Sequence, residues 1–385
     1  MFCAYYLLKS GYSVTVLDRS KDGLTSRNNA GLLTPSLAPA PEMSYPDIIR
    51  ASTIGLGPLY ISPSQILRNM PWFISALKER KGKGGRLLME LGIESVKLYE
   101  EFFSKEGIDA DVIRGVGALY ESESEARHLA DVYHGRFIGE KEVSRLGYKN
   151  REGGIMFDRE LSINSMKLFK ALRSRIKRMG ARIMLGKKAS FNFSGHNIES
   201  VSFGKSTVHA DSYIAAAGSW SRELLAPLGY DPMIIPARGL VMMFSTGGSR
   251  VVFAPSLLEP EGVAVAQHDA NTLRITSFFE FRGIDGTFSQ SRKRWMLEQA
   301  ERNLKLYSKL KPVYEGHGFR PCTPDQMPLI GRIPGFSNLL IAGGQCRVGV
   351  TLAPITGSIM AQIIGGQKPR MRGLDPISPS RFASR

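Results

Sequence analysis

The first eighteen residues restrict the fold more than any other stretch of the chain. Ala4, Leu7 and Leu8 recur at helical spacing, and Lys9-Ser10-Gly11 reads as a C-terminal stop, with Gly11 able to take the left-handed conformation. Tyr12-Ser13-Val14-Thr15-Val16-Leu17-Asp18 is short, β-branched and ends on an acid, which predicts a strand. Helix, glycine, strand and acid in that order form the second half of a Rossmann-type βαβ unit, where the acid at the strand end holds a ribose hydroxyl.

Such a unit opens with a strand and a G-x-G-x-x-G loop, and its acid falls ~20 residues after the glycines. Counting back from Asp18 puts the last glycine just before Met1, so the first strand and all three glycines are expected upstream of this sequence. Two explanations stand: an initiation codon assigned to an internal Met, or a natural truncation.

The 385 residues, 43% of them hydrophobic, suffice for a substantial core and favour two domains over one. The net charge of +16 would suit nucleic acid, an anionic membrane or acidic small molecules, but the basic residues are spread along the chain, which reads as a solvated surface. The densest run, Lys78-Glu79-Arg80-Lys81-Gly82-Lys83 with Arg86, has no interleaved aromatics and reads as an exposed helix end, so no nucleic acid is expected. Cys3, Cys322 and Cys346 show no CxxC spacing and no nearby His pair, which argues against a metal site, and so few cysteines fit a reducing compartment. No apolar run reaches the ~18–20 residues of a membrane span, and the start has no basic n-region before its apolar stretch. The expected location is cytoplasmic, with the inner face of a membrane as the alternative.

Along the chain, residues 20–45 read as a Ser-, Asn-, Gly- and Pro-rich loop that includes Pro35, Pro39 and Pro41, and residues 64–105 as mostly helical. Short strands are predicted at 115–121 and 153–158, a serine-capped helix from Ser162 to Met179, a strand at 181–185 and a β-meander to about Val208. Strand-like runs alternate over 236–290, a helix follows from about Ser289 to Leu310, and a closing helix runs from Thr351 to Ile364. The expected fold class is mixed α/β: a Rossmann-like dinucleotide domain lacking its first strand, plus a domain with an antiparallel sheet. The first is expected from 1–45, 150–235 and 312–370, the second from 46–149 and 236–311, with 371–385 as a tail.

Three stretches carry candidate chemistry. In 210–221 a buried strand runs into Ala215-Ala216-Ala217-Gly218-Ser219-Trp220, where small residues let a ligand approach the backbone; a plain strand–helix turn is the other reading. In 318–331, Arg320 sits in an otherwise apolar, Pro-rich segment, suited to a two-pronged hold on a carboxylate or to bonding loop carbonyls. In 343–357, glycines after a strand lead into a helix start, with Pro354 in its first turn, a nest of N–H groups for negative charge.

These three stretches, in this order and downstream of Asp18, resemble the D-amino acid oxidase family of FAD enzymes, and within it the D-amino acid dehydrogenase branch; glycine and sarcosine oxidases are relatives. The resemblance covers most of the chain, strongest at 1–34, 210–222 and 316–364 and weakest at 60–150. It implies that Asp18 takes the adenosine ribose and that Thr25-Ser26 with Asn29, Ala30 and Gly31 forms the loop beside the flavin. It further implies that Ala217, Gly218 and Trp220 line FAD, that Gly344, Gly349, Thr351 and Leu352 contact the isoalloxazine ring, and that Arg320 anchors the substrate carboxylate. Arg347 is either a second anion contact or structural. Arg238-Gly239-Leu240 resembles the strand entering the substrate domain, and Arg274 through Phe281 the late hairpin. Gly318 stands where sarcosine oxidases carry the cysteine that tethers flavin, so FAD is expected to be non-covalent, and Cys322 and Cys346 are expected to be spectators. Phe278, Phe279 and Phe281 wall the pocket or pack the core.

The activity implied is oxidative deamination of a small amino acid: the α-hydride passes to flavin N5, and the imino acid hydrolyses to a keto acid and ammonia. A quinone or dye-type acceptor is expected, with peripheral membrane association or assembly with a like or unlike subunit as further partners. The alternatives are a glycine, sarcosine or proline oxidase, a flavoprotein of tRNA modification, and a truncated non-catalytic relic or subunit.

Overall fold

The structure is a computed structural model that describes residues 1–22, 25–38, 58–78 and 84–382. Pro39, Pro41, the expected domain boundary at 45/46 and the basic run from Glu79 to Lys83 lie outside the described residues. The helices are α1 (Phe2–Lys9), α2 (Pro63–Arg68), α3 (Met70–Lys78), α4 (Gly85–Glu106), α5 (Glu123–Tyr133), α6 (Glu140–Arg145), α7 (Ser165–Arg178), α8 (Ser221–Leu225), α9 (Gln290–Asn303) and α10 (Ala353–Ile364). The strands of the first half are β1 (Thr15–Asp18), β2 (Leu32–Leu33), β3 (Leu59–Ile61), β4 (Ile113–Tyr120), β5 (Arg136–Gly139), β6 (Gly153–Ser162), β7 (Arg182–Leu185), β8 (Ala189–Ser194), β9 (Asn197–Phe203) and β10 (Ser206–Val208). Those of the second half are β11 (Tyr213–Ala215), β12 (Ile235–Ser245), β13 (Ser256–Leu258), β14 (Val263–Ala266), β15 (Thr272–Phe281), β16 (Lys311–Cys322), β17 (Leu329–Arg332) and β18 (Leu339–Gly343).

The fold is mixed α/β, as the sequence predicts. Its parallel part is in two pieces: β1 pairs with β7, and β11 pairs with β18, which β17 joins from the other side. Among the described residues the second edge of β1 and the second edge of β11 carry no strand, and both line one large cavity. The helix predicted at the start is α1, with Phe2, Ala4, Tyr5 and Leu7 buried. It packs against α10 at Gly357, where a Cβ would fall 2.6 Å from the Phe2 carbonyl; any side chain there would push the helices apart. Phe2, Tyr99 and Phe102 meet edge to face between α1 and α4, closing the core that also takes Leu168, Leu172 and Ile176 of α7.

The second part is a ten-stranded, mainly antiparallel sheet in the order β16-β12-β15-β14-β13-β4-β6-β2, with β3 on β15 and β5 on β6. It includes strands from both expected domains: β16 pairs with β12, and β6 pairs with β4 and β5 of the substrate stretches and with β2 of the 1–45 stretch. One sequence expectation is corrected here. The helix expected from Ser162 begins at Ser165, and its cap is Asn164, whose Oδ1 accepts from the Lys167 amide. Ser162 instead ends β6, with its hydroxyl 2.8 Å from His268 Nε2.

Within this sheet Arg238 and Glu280 form an ion pair across β12 and β15, both fully buried. Arg238 Nε and Nη2 donate to one carboxylate oxygen at 2.8 and 2.6 Å, and Arg292 Nε lies 3.0 Å from the other. Removing Arg238 leaves the fully buried Glu280 with only the partly exposed Arg292 to offset its charge. Arg238→Ala is therefore expected to lower the unfolding free energy by about 3–5 kcal/mol, read from urea denaturation; a change below about 1 kcal/mol would mean the pair has no structural weight.

Candidate active site

The outer edge of β16 is the platform on which the site is assembled. This strand ends the ten-stranded sheet, so its outward carbonyls need partners. Asn28 Nδ2 donates to the His317 carbonyl at 2.8 Å, Ser219 Oγ to the Phe319 carbonyl at 3.1 Å, and the Cys346 amide to the Pro321 carbonyl at 2.9 Å. Three loops far apart in sequence, each from a stretch singled out above, are thus docked on alternate residues of one strand. The loop around Asn28 is held from behind as well: buried Arg274 on β15 donates to the carbonyls of Arg27 and Asn29 at 2.8 and 2.7 Å, and Asn29 Oδ1 accepts from the Gly31 amide at 2.7 Å.

Arg320 lies on β16 opposite Ala237, beside Gly239 of β12. A Cβ on Gly239 would fall 2.5 Å from Arg320 Nη1, so only glycine leaves room for the guanidinium to lie across the strand. Nη1 donates to the Phe278 carbonyl at 2.8 Å, and the guanidinium carbon sits 5.3 Å from the centre of the Phe279 ring. Phe278 reaches that arrangement with φ at +72°, a conformation costly for a bulky residue and one that turns its carbonyl toward Arg320. Burial first, and then the charge of Arg347, pulls Arg320 down to about 10, so it stays protonated at neutral pH. Among the described residues no carboxylate pairs with it.

One continuous cavity of about 3640 Å³ joins these parts. Of the expected site residues, Asp18, Ser26, Asn29, Ala30, Gly31, Ala217, Gly218, Trp220, Arg320, Arg347, Gly349 and Thr351 line it. Gly344 and Leu352 are not among its lining: both are buried, Gly344 against Thr323 and Leu352 in the core beneath α10. Asp18 Oδ1 accepts from the Ser20 amide at 2.8 Å, and Arg19 stacks 4.0 Å over Trp220. The loop that includes Val350 and Thr351 carries the wall to the start of α10, whose positive dipole end meets the cavity. Phe278 and Phe279 reach the wall, whereas Phe281 packs in the core with Trp72 and Phe73.

Two features were not expected. Cys322 and Cys346 are joined by a disulfide that ties the end of β16 to the loop before α10, so they are not spectators, and the low cysteine count loses its value as a sign of a reducing compartment. The pairing depends on a tertiary contact across 24 residues, which spacing alone does not disclose. The second feature is Glu259, which lines the cavity within the field of Arg347; burial pushes its carboxyl up to about 7, with Arg347 opposing.

This mixed α/β fold, with a long cavity running from an acidic strand end to an arginine and a helix start, defines a flavin-dependent oxidoreductase. The chain belongs to the DAO family: the model for FAD dependent oxidoreductases matches residues 1–363. It is 26% identical over 404 residues to a D-amino acid dehydrogenase of Rhizorhabdus wittichii, covering 95% of this chain and 94% of that protein. It is 30% identical over 176 residues to glycine oxidase of Pseudomonas aeruginosa, where the match spans 46% of this chain and about half, 47%, of the relative. Among solved structures, iminodiacetate oxidase from Chelativorans sp. BNC1 is similar with a TM-score of 0.77 at 17% identity, covering 98% and 95% of the two chains. L-proline dehydrogenase from P. horikoshii gives 0.74 at 16%, covering 99% and 94%. The cofactor of the family is FAD, and the lining residues fit it: one continuous cavity takes in Asp18, with one oxygen engaged in its own turn, the small residues Ala217 and Gly218, and the start of α10.

The charge balance of the cavity gives a pH signature. Above pH 7 the ionised Glu259 adds negative charge to the cavity within the field of Arg347; below it that negative charge is lost and the cavity becomes more positive. A carboxylate inhibitor is expected to bind more tightly as pH falls from 8 to 6, by up to about tenfold per lost charge, and Glu259→Gln to flatten that slope. Calorimetric titration across the range checks it; an equal slope in both proteins removes Glu259 from the account.

Proposed function

We propose that the protein catalyses FAD-dependent oxidative deamination of a small amino acid in the manner of a D-amino acid dehydrogenase, with FAD held non-covalently and electrons leaving to a quinone or dye-type acceptor. The observation that carries this reading is Arg320: a half-buried guanidinium on the cavity wall, protonated at neutral pH and propped by the Phe278 carbonyl and the Phe279 ring, with no carboxylate paired to it among the described residues. A substrate carboxylate is the complementary group, and two parallel N–H···O bonds would orient it as well as hold it.

FAD, when bound, supplies the two-electron acceptor for the α-hydride. In this reading Asp18 takes the ribose, and Ser26, Asn29, Ala30 and Gly31 with Ala217, Gly218 and Trp220 line the cofactor. Gly349, Thr351 and the start of α10 stabilise negative charge at the ring end. Residues 1–45, 150–235 and 312–370 serve the cofactor, and 46–149 with 236–311 the substrate. Arg320 fixes the α-carbon, and orientation supplies much of the rate. The substrate nitrogen must be neutral for its lone pair to assist loss of the hydride, a condition met by releasing one proton to solvent. The relatives that carry D-amino acid dehydrogenase as their name, at 26% and 24% identity over nearly the whole chain, support this reading over the oxidase one.

Arg320→Ala is expected to raise KM for amino acid substrates by about 100-fold, the loss of two charge-assisted hydrogen bonds, with Arg320→Lys intermediate. The measurement is dye reduction and oxygen uptake over a panel of D- and L-amino acids. Unchanged KM in the alanine variant would remove the anchor role, and oxygen uptake that matches dye reduction would move the assignment to an oxidase.

A further inference from the structure

We infer that the Cys322–Cys346 disulfide is a reversible clamp that holds Arg347 near Arg320 and thereby sets the affinity of the carboxylate site, which weakens when a thiol reductant opens the bond. Cys322 follows Arg320 by two residues at the end of β16, and Cys346 directly precedes Arg347 in the loop before α10. The bond brings the two Cα atoms to 4.3 Å, so it fastens together the backbone segments that carry the two arginines. Both arginines line the cavity.

Two features oppose this arrangement and give the covalent link its weight. The arginine charges repel: after burial, the field of Arg347 is what lowers Arg320. Cys346 itself has φ at +43°, a left-handed backbone that a residue with a Cβ adopts at a cost. With the bond open, the loop keeps the Cys346 amide on the Pro321 carbonyl and the isolated bridge between Cys322 and Gln345. β16 stays paired with β12 along its length, so Arg320 keeps its place and the loop is the part that moves. There is room for it: an apolar cavity of about 60 Å³ lies against both cysteines, walled by Trp72, Phe73, Ala76 and Phe279, so the separated thiols can turn without displacing the core.

The bond is also within reach of a reductant. Cys346 lines the large cavity, whereas Cys322 lies behind it and is 1% exposed. A small dithiol entering the cavity would attack Cys346 Sγ as its thiolate; the S–S bond breaks, and Cys322 leaves as a thiolate that takes up a proton. The second thiol of the reductant then displaces Cys346 from the mixed disulfide. Two electrons and two protons pass to the cysteines, and the reductant departs as a cyclic disulfide. The inference rests on the carboxylate reading of Arg320 given above, and its test separates the two.

Propionate and its uncharged counterpart propionamide are titrated calorimetrically into the purified full chain supplied with FAD, before dithiothreitol, after it and after reoxidation. Alkylated thiols are counted by mass spectrometry: Cys3 alone is expected before reduction and all three cysteines after it. Reduction is expected to weaken propionate about tenfold, to leave propionamide within about twofold, and to be reversed on reoxidation. Cys322→Ser/Cys346→Ser is expected to match the reduced chain with or without reductant. Arg347→Gln is expected to bind propionate weakly in both states, so that the redox ratio collapses, a readout that a disulfide serving stability alone would not move. Three free thiols in the untreated chain, equal propionate affinity across a confirmed reduction, or a tenfold ratio that persists in Arg347→Gln would overturn the inference. So would parallel loss of both ligands, the sign of a general loosening. In each of these cases loss of propionate binding in Arg320→Ala would leave the anchor role standing, whereas propionate binding indifferent to Arg320 would overturn both readings.

Discussion

The outer edge of β16 is the constraint on which the rest of the site depends. An edge strand leaves carbonyls that must find donors, and here the donors are Asn28, Ser219 and the Cys346 amide, one from each loop that carries expected cofactor residues. The inner edge of the same strand pairs with β12 along its whole length. One element therefore registers the substrate sheet against the cofactor loops, and Arg320, which it bears, is placed relative to both.

The ten-stranded sheet carries two arginines that differ in electrostatics. Arg238, fully buried, is neutralised by Glu280 and serves the sheet. Arg320 is given a carbonyl and an aromatic face but, among the described residues, no anion, with Arg347 adding to the positive potential rather than relieving it. A partly desolvated cation not paired with a carboxylate among the described residues is costly to fold around, and the strained φ of Phe278 adds to that cost. Such expense is characteristic of a site waiting for an anion.

Much of this was legible in the sequence because the signals are local. The helix–glycine–strand–acid order gave α1 and β1, and the Gly-Ser-Trp turn and Arg320 announce themselves by residue type in an unusual setting. What was not legible is relational. Nothing near Cys322 points to Cys346, nothing near Gly239 says that a guanidinium needs its space, and the buried environment that raises Glu259 is built from distant segments. Ser162 shows the reverse: by residue type it reads as a helix cap, while its backbone pairs with β4 and β2. Gly344 and Leu352 match the motif by position, but Leu352 packs in the core and Gly344 is buried against Thr323.

The docking of Asn28 on His317 joins residues 289 positions apart. Closing so long a loop is entropically expensive and is repaid only when many contacts form together. The β12–β15 and β12–β16 pairings link the nearer parts of the chain and need no contribution from the first thirty residues. During synthesis α1 can meet α4 and α7, and β1 can pair with β7, before β16 exists, so the step left to the end is the docking of the loops on β16, and the cofactor site is completed with it.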